Sequence, residues 1–209
     1  MNHDSIFTSI YETNEWGTRE DISTEFKGNS GQGSAVECNL LYIYYLKYFI
    51  LMNGVTSVVD VGCGDWRCGT SIYGDLRTKG VKYCGYDVYD AMIQHHQKHY
   101  ADPLWTFSRM NCAADKEAMV SADLLILKDV LQHWTDEEAT KFLDYAIESK
   151  KYKYILVTNC AHQSQSVSLG KAGGYRPLPR NGVLFKGYPF KEVLAYNNKA
   201  VLLLTCHPL

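Results

Sequence analysis

Two glycines follow the first buried strand that the sequence predicts, an acidic residue lies near the end of that strand, and together they could bind a ligand. The segment VVDVGCGDW (58–66) contains Asp60, Gly62 and Gly64. A strand that ends in Gly-x-Gly brings the backbone close to a ligand at the carboxyl edge of a parallel sheet. A dinucleotide fingerprint would require a third glycine where Arg67 stands. The motif therefore predicts either a simple tight turn or a site for a ligand other than a nicotinamide or flavin dinucleotide.

Polar residues also follow the next three predicted strands. The second strand ends in GYD, which places Asp87 where its carboxylate can accept hydrogen bonds from both hydroxyls of a ribose. Asn111 and Cys112 follow the third strand, and the segment ADLLILKDVLQHW (122–134) contains the fourth strand and its continuation. Because the carboxyl ends of parallel strands meet at one edge, these residues are predicted to face one crevice.

Strand-like and helical segments alternate after Gly54 and predict the elements that position these residues. Strand candidates are 55–61, 81–86, 104–110, 122–128 and 152–158. Thr135 and Glu138 have capping-box spacing, which predicts a helix from there to about residue 149. Strands that alternate with helices indicate a parallel sheet covered on both faces. Two final strands, 191–197 and 200–206, predict a hairpin that adds an antiparallel edge.

An apolar segment, LLYIYYLKYFILM (40–52), precedes this alternation. It is shorter than the about 18 residues of a membrane span and contains Lys47, so no membrane span is expected. Ser34 and Glu37 have capping-box spacing before it, and Asn53-Gly54 is a stop signal after it. These signals predict a buried helix.

Composition and charge limit the class of protein. With 209 residues, 46% hydrophobic content, no repeat and no linker, the chain is predicted to form one domain. Its net charge of −2 makes a nucleic-acid partner improbable. Seven cysteines, several in apolar segments, favour reduced thiols in a cytoplasmic protein, and we expect no signal peptide. The basic C-terminal third is either a solvated surface or a contact for an anionic or phosphate-bearing ligand.

Over roughly residues 54–160 the chain resembles class I S-adenosylmethionine (SAM)-dependent methyltransferases. The resemblance rests on VVDVGCGDW, GYD and ADLLILKDVLQHW in this order and spacing. It implies an α/β Rossmann-like fold with a mostly parallel seven-stranded sheet, an antiparallel C-terminal strand, helices on both faces, and SAM as the cofactor. It also implies that Asp60, Gly62 and Gly64 contact the methionine part of SAM. The remaining cofactor-binding residues implied are Asp87 for the ribose hydroxyls, Asn111 and Cys112 beside the adenine, and Lys128.

Short motifs on the flanks are similar to a narrower subgroup, found among methyltransferases of bacterial and large-virus surface-glycan pathways. These motifs are Trp16-Gly17, SGQGS (30–34), YRPL (175–178) and Pro189-Phe190. The similarity implies a sugar hydroxyl as the methyl acceptor, on a nucleotide sugar or a glycan, for example on a deoxyhexose such as rhamnose. It leaves open whether the chain is fused to, or associates with, glycosyltransferase domains.

A sugar hydroxyl is a weak nucleophile, so its methylation requires a base within hydrogen-bond reach. His133 is the first candidate, because it follows the fourth strand and its unperturbed pKa of about 6.5 suits a base. Asp129, four residues earlier, would share a face with His133 if this turn is helical, and it could act as the base or orient the imidazole. Alternatively, His133 packs beside the cofactor.

The flanking regions are predicted to form the acceptor site. Residues 1–53 would comprise a lid, through Ser34, and the apolar helix; residues 54–158 would form the cofactor-binding core; residues 159–209 would supply an acceptor loop and the hairpin. Trp134 could stack on a sugar ring, and Arg176 could bind a phosphate or carboxylate.

No metal site is predicted. His95 and His99 have the i, i+4 spacing of helical metal ligands, and Cys63 and Cys68 are two cysteines close in sequence. Neither of these two pairs of residues has further candidate ligands nearby. Two alternatives to a sugar methyltransferase remain from the sequence: a methyltransferase acting on RNA or a small metabolite, and a SAM-binding module without catalysis.

Overall fold

The computed structural model describes residues 3–18, 28–162 and 167–206. Its strands are β1 (Ser57–Val61), β2 (Lys82–Asp87), β3 (Trp105–Arg109), β4 (Ala122–Lys128), β5 (Tyr152–Cys160), β6 (Lys191–Tyr196) and β7 (Lys199–Thr205). They form one seven-stranded sheet in the order β3-β2-β1-β4-β5-β7-β6. The pairs among β1 to β5 are parallel, whereas β7 runs antiparallel to both β5 and β6. The predicted Rossmann-like sheet is confirmed; within the hairpin, β7 joins the sheet and β6 forms its edge.

Helices cover both faces of this sheet. They are α1 (His3–Glu12), α2 (Leu40–Met52), α3 (Arg67–Leu76), α4 (Asp90–His99) and α5 (Asp136–Glu148). Alternate residues of the central strands face opposite ways, so Leu124 and Ile126 share a core with α2 and α3, while Leu125 and Leu127 share one with α5. This double coverage explains why β4 is apolar almost throughout.

The two predicted capping boxes have different outcomes. Thr135 and Glu138 form the predicted box: Glu138 N–H donates to Thr135 Oγ1, and Thr135 N–H donates to the Glu138 carboxylate. The prediction of a capping box at Ser34 and Glu37 was wrong. Ser34 ends a short 3-10 turn (Gln32–Ser34) and its hydroxyl donates to Gly31 O, while Asn39 is the residue before α2 and provides no side-chain cap.

The predicted helix at Leu40–Met52 has the expected bounds, but only one of its faces is buried. The sheet and α3 cover that face, and large apolar side chains on the opposite face remain exposed. Among the residues described, no helix combines the length and apolarity needed to cross a membrane. All seven cysteines are free thiols.

Candidate functional site

A cavity of about 430 Å³ lies at the carboxyl ends of the parallel strands. This volume is in the range of small-molecule sites, and an open α/β sheet binds its ligands at this edge. Ten of the eleven residues that the sequence predicted for the site line the cavity, and Arg176 does not. The ten are Asp60, Gly62, Gly64, Asp87, Asn111, Cys112, Lys128, Asp129, His133 and Trp134.

The glycine turn after β1 forms one wall. Gly62 and Gly64 have φ angles of 67° and 57°, a left-handed conformation that favours glycine. A Cβ atom at Gly62 would lie 2.7 Å from Cγ2 of Val130, and one at Gly64 would overlap Oγ of Ser30. Any other residue at these positions would therefore be strained and would displace the surrounding side chains.

Asp87, at the end of β2, is held against this turn. Its Oδ2 accepts a hydrogen bond from Gly64 N–H at 3.1 Å, and its Oδ1 accepts one from Tyr89 N–H at 3.1 Å. The side chain is buried, and burial raises its pKa to about 6 despite these bonds. A carboxylate has about four acceptor positions, so these backbone bonds leave acceptor capacity for a ligand.

Asp60 and Lys128 lie at the ends of β1 and β4. Tyr83 donates its hydroxyl hydrogen to Asp60 Oδ2 at 2.8 Å, and burial raises the pKa of Asp60 to about 7. The charge of Lys128 counters that increase. This region can therefore change its charge near neutral pH.

His96 on α4 supports the glycine turn from behind, which the sequence analysis missed. Its Nε2 lies 2.7 Å from Gly64 O, and burial lowers its pKa to about 4. Because a carbonyl can only accept, Nε2 is the donor. His95 and His99 are more exposed than His96. The signal was available in the sequence, because His96 follows the buried Met92 and Ile93 with helical spacing.

His133 lies in a 3-10 turn (Leu131–His133) after β4, on the cavity wall. Its Nδ1 donates to Gly174 O at 2.8 Å, which leaves the lone pair of a neutral imidazole on Nε2. Burial lowers the pKa of His133, and the bond to Gly174 only partly offsets this effect. Nε2 lies 3.4 Å from the side-chain nitrogen of Gln132. It is the ring atom that can accept a proton.

Asp129 does not orient His133. It has a left-handed φ of 59°, so the predicted helical face shared with His133 does not form. Its Oδ2 instead accepts bonds from Lys128 at 2.7 Å and from Lys199. Burial acts to raise the pKa of Asp129, but the two ammonium groups lower it below its usual value. The sequence offered little sign of Lys199, which the pairing of β5 with β7 brings beside Cys160.

The N-terminal segment covers part of the cavity. His3, Phe7, Tyr11 and Trp16 line it, and the Trp16 ring lies 5.2 Å from the His133 ring. Ser30 joins the segment to the glycine turn, because Asp65 N–H donates to Ser30 Oγ and Ser30 N–H donates to the Asp65 carboxylate. Residues 1–2 and 19–27 of the predicted lid, and residues 163–166 of the predicted acceptor loop, lie outside the described residues.

The two predicted substrate-binding residues have different surroundings. Trp134 borders the cavity but is only 4% exposed, because its ring packs against His3 and Phe142. Arg176 is buried away from the cavity, with Nη2 2.9 Å from Asp136 Oδ1. Tyr175, the residue before it, lines the cavity instead.

Asn111 and Cys112, after β3, border the part of the cavity near α1. Asn111 donates to Asp4 Oδ2 at 3.0 Å, which ties this region to the N-terminal helix. Within the described part of the chain, no group of three or more His, Cys, Asp or Glu side chains is arranged to hold a metal ion.

Comparison with known proteins shows similarity in fold. No family model matches the sequence, and no curated protein matches it significantly. An O-methyltransferase family protein from Burkholderia thailandensis has a similar structure (TM-score 0.61, 14% identity), with 83% of this chain and 57% of that chain covered. Human N-acetylserotonin methyltransferase in complex with SAM has a TM-score of 0.55 and 14% identity, with coverages of 98% and 60%.

A third similar structure is the bifunctional kinase-methyltransferase WbdD, with a TM-score of 0.57, 15% identity and coverages of 81% and 40%. This chain therefore spans between 40% and 60% of the length of these three proteins. At such low identity, the similarity establishes a methyltransferase-type Rossmann-like fold.

Proposed function

We propose that this protein is a SAM-dependent methyltransferase that methylates a hydroxyl group of a sugar, on a nucleotide sugar or within a glycan. The observation that carries the proposal is the Asp87 carboxylate, bonded to the turn at 62–64 inside a cavity of ligand size. The fold shared with solved methyltransferases supports the same activity.

The residues of the cavity fit SAM. Gly62 and Gly64 contribute backbone and no side chain to the wall of the turn at 62–64. The backbone bonds of Asp87 leave acceptor capacity that the ribose hydroxyls would use. Asp60, Gly62, Gly64 and Lys128 would surround the methionine part, and Asn111 and Cys112 the adenine. When bound, SAM supplies a methyl group activated by a positively charged sulfonium.

His133 is proposed to remove the proton from the acceptor hydroxyl. The Gly174 carbonyl holds Nδ1 protonated, so Nε2 is the atom that accepts the proton. Asp129 is less suited to this role, because Lys128 and Lys199 stabilise its ionised form and make it a weak base. Asp129 instead holds both lysines at the cavity wall.

Aromatic side chains near His133 support a sugar as the acceptor. The ring centroids of Trp16 and Tyr175 lie 5.2 and 6.1 Å from that of His133. Aromatic rings with an apolar face and a polar edge suit sugar rings, whose C–H faces are apolar. Tyr175 is 51% exposed, so it is more accessible to an acceptor than Trp134.

Transfer of a labelled methyl group from SAM to a panel of nucleotide sugars, glycosides and RNA would test this proposal. Titration calorimetry with S-adenosylhomocysteine (SAH) would accompany it, with micromolar binding expected. Transfer of the label to a sugar would confirm the proposed acceptor class. Transfer to RNA alone would show that RNA, and not a sugar, is the acceptor. SAH binding with no transfer to any acceptor indicates a binding module, and absence of SAH binding refutes the cofactor assignment.

A further inference from the structure

The outward face of α2 (Leu40–Met52) is apolar, and none of the described residues covers it. Six large apolar side chains on this face are between 49% and 67% exposed, and we call them the α2 stripe: Leu40, Leu41, Tyr44, Tyr48, Leu51 and Met52. At 3.6 residues per turn they occupy an arc of about 120° along the whole helix. A helix normally buries an arc of this width in a core.

The opposite face of α2 is already buried in the protein core, by Tyr42, Leu46, Ile50 and their neighbours. A helix that is apolar all round is expected to have apolar surroundings on both sides. The sheet provides only one of them. The α2 stripe is therefore a contiguous apolar patch with the composition of an interface core. Single apolar residues scattered over a surface do not form such a patch.

The pattern of the α2 stripe is symmetric about its midpoint, residue 46. The stripe positions form three pairs, and the two members of each pair are equally far in sequence from residue 46: 40 and 52, 41 and 51, and 44 and 48. Two copies of α2 related by a two-fold axis at residue 46 would run antiparallel and place each of these positions opposite its equivalent. The contacts would then be aliphatic against aliphatic and Tyr44 against Tyr48. A two-fold interface requires this kind of self-complementary surface.

The exposed area is also sufficient for a stable pair. The six side chains expose on the order of 700 Å², since one aromatic side chain alone covers about 150–250 Å². Complete coverage of both stripes would bury about 1,400 Å² in total, within the range of about 1,200–2,000 Å² for stable interfaces. Lys47, at one border of the stripe, is bonded to Asp75 of the same chain, so it brings no unpaired charge to the contact.

We propose that the α2 stripe binds the α2 stripe of a second copy of this chain, in an antiparallel two-fold dimer. A membrane surface fits less well, because interfacial helices carry basic residues on their polar face, and Lys47 is the only basic residue of α2. This inference is independent of the proposed catalytic function.

Sedimentation analysis between about 1 and about 100 µM tests the proposal, since interfaces of this area associate at micromolar concentrations or below. We expect a mass of twice 23.7 kDa for the unaltered protein. Leu41→Glu and Tyr48→Glu should each raise the dissociation constant about 100-fold or more, because each dimer would bury two unpaired carboxylates. Circular dichroism and thermal melting would verify that each variant is folded.

Val120→Glu and Val183→Glu are matched controls, because these valines are 50% and 79% exposed but lie outside α2. Both should remain dimeric. A monomeric unaltered protein over this range overturns the proposal, as does a dimer that survives both α2 substitutions or that the controls also disrupt. A protein that stays monomeric and binds to lipid vesicles would also overturn the proposal, because the α2 stripe would then contact a membrane surface.

Cross-linking tests the antiparallel register. Oxidation of an equal mixture of Leu41→Cys and Leu51→Cys chains should give covalent dimers above the level of the unaltered protein. Either variant alone should not, because positions 41 of two antiparallel copies would lie about 15 Å apart. Equal cross-linking in the single variants would refute the register.

Discussion

Replacement of Asp87 by asparagine separates a binding role from a structural one. The carboxylate accepts hydrogen bonds from Gly64 N–H and Tyr89 N–H through its two different oxygens. An asparagine has nearly the same shape but only one accepting oxygen. In Asp87→Asn, the amide group must therefore oppose one of these N–H donors, and fewer acceptor positions remain for a ribose.

The two consequences have different magnitudes. Loss of two charge-assisted hydrogen bonds to the ribose, at about 1.5–3 kcal/mol each, should weaken SAH binding about 10²-fold to 10⁴-fold. The substitution has two opposite effects on the free energy of unfolding, relief of a buried charge and loss of a hydrogen-bond acceptor, and they nearly cancel. Burial raises the pKa of Asp87 to about 6, and relief of that buried charge is worth about 3 kcal/mol at neutral pH. One unsatisfied N–H donor costs about 1–3 kcal/mol.

The sign of the pH dependence follows from the raised pKa. A group whose folded pKa exceeds its unfolded value of about 3.9 contributes stability below that value and loses the contribution as pH rises through about 6. Relative to the unaltered protein, Asp87→Asn should therefore be more stable at pH 7.5 than at pH 4. In the unaltered protein, SAH binding should weaken below pH 6 as Asp87 becomes protonated.

Titration calorimetry with SAH and urea unfolding at both pH values would measure these effects. Asp123→Asn is the matched control: Asp123 lies outside the cavity, and its pKa is lowered to about 2 because bonds to Lys153 and Thr56 outweigh burial. That variant should lose stability at neutral pH and retain SAH affinity. An Asp87→Asn protein that binds SAH normally but unfolds more easily would refute the proposed role of Asp87.

Three further predictions concern the same cavity. His133→Ala should lower turnover about 10²-fold to 10⁴-fold with little change in the calorimetric Kd for SAH, and a near-normal rate would exclude His133 as the base. His96 has its pKa lowered to about 4, so its stabilising contribution is present above its unfolded pKa of about 6.5 and lost as pH falls toward 4. Urea unfolding should accordingly show a shallower decline in stability over this range for His96→Phe, and an unchanged decline would contradict this assignment. Methyl transfer should continue undiminished in excess chelator, whereas stimulation by added Mg²⁺ or Mn²⁺ would show that a metal takes part.

Much of the fold was predictable because its signals are local. The apolar pattern of 122–128 gave the bounds of β4 correctly, and the capping box at Thr135 marked the start of α5. The capping box predicted at Ser34 does not form, because the Ser34 hydroxyl donates to Gly31 O. Spacing alone therefore did not identify the hydrogen-bond partner of Ser34.

The cavity was predictable only in part. Residues that directly follow strands reached it, because the carboxyl ends of parallel strands must meet at one edge. The bond from Lys199 to Asp129 spans 70 positions and depends on the pairing of β7 with β5. Arg176 belongs to a loop, and its side chain pairs with Asp136, the first residue of α5, and does not line the cavity.

The sequence by itself determined the order of strands and helices, the glycine turn, and the acidic ends of the first two strands, since periodicity and turn chemistry act between near neighbours. Only the tertiary structure decided which polar groups became partners and which apolar surfaces stayed open. His96 supports Gly64, two lysines share Asp129, and α2 is covered on one face only. The reason is physical: burial and long-range contacts depend on how complete elements pack against one another, which no short segment specifies.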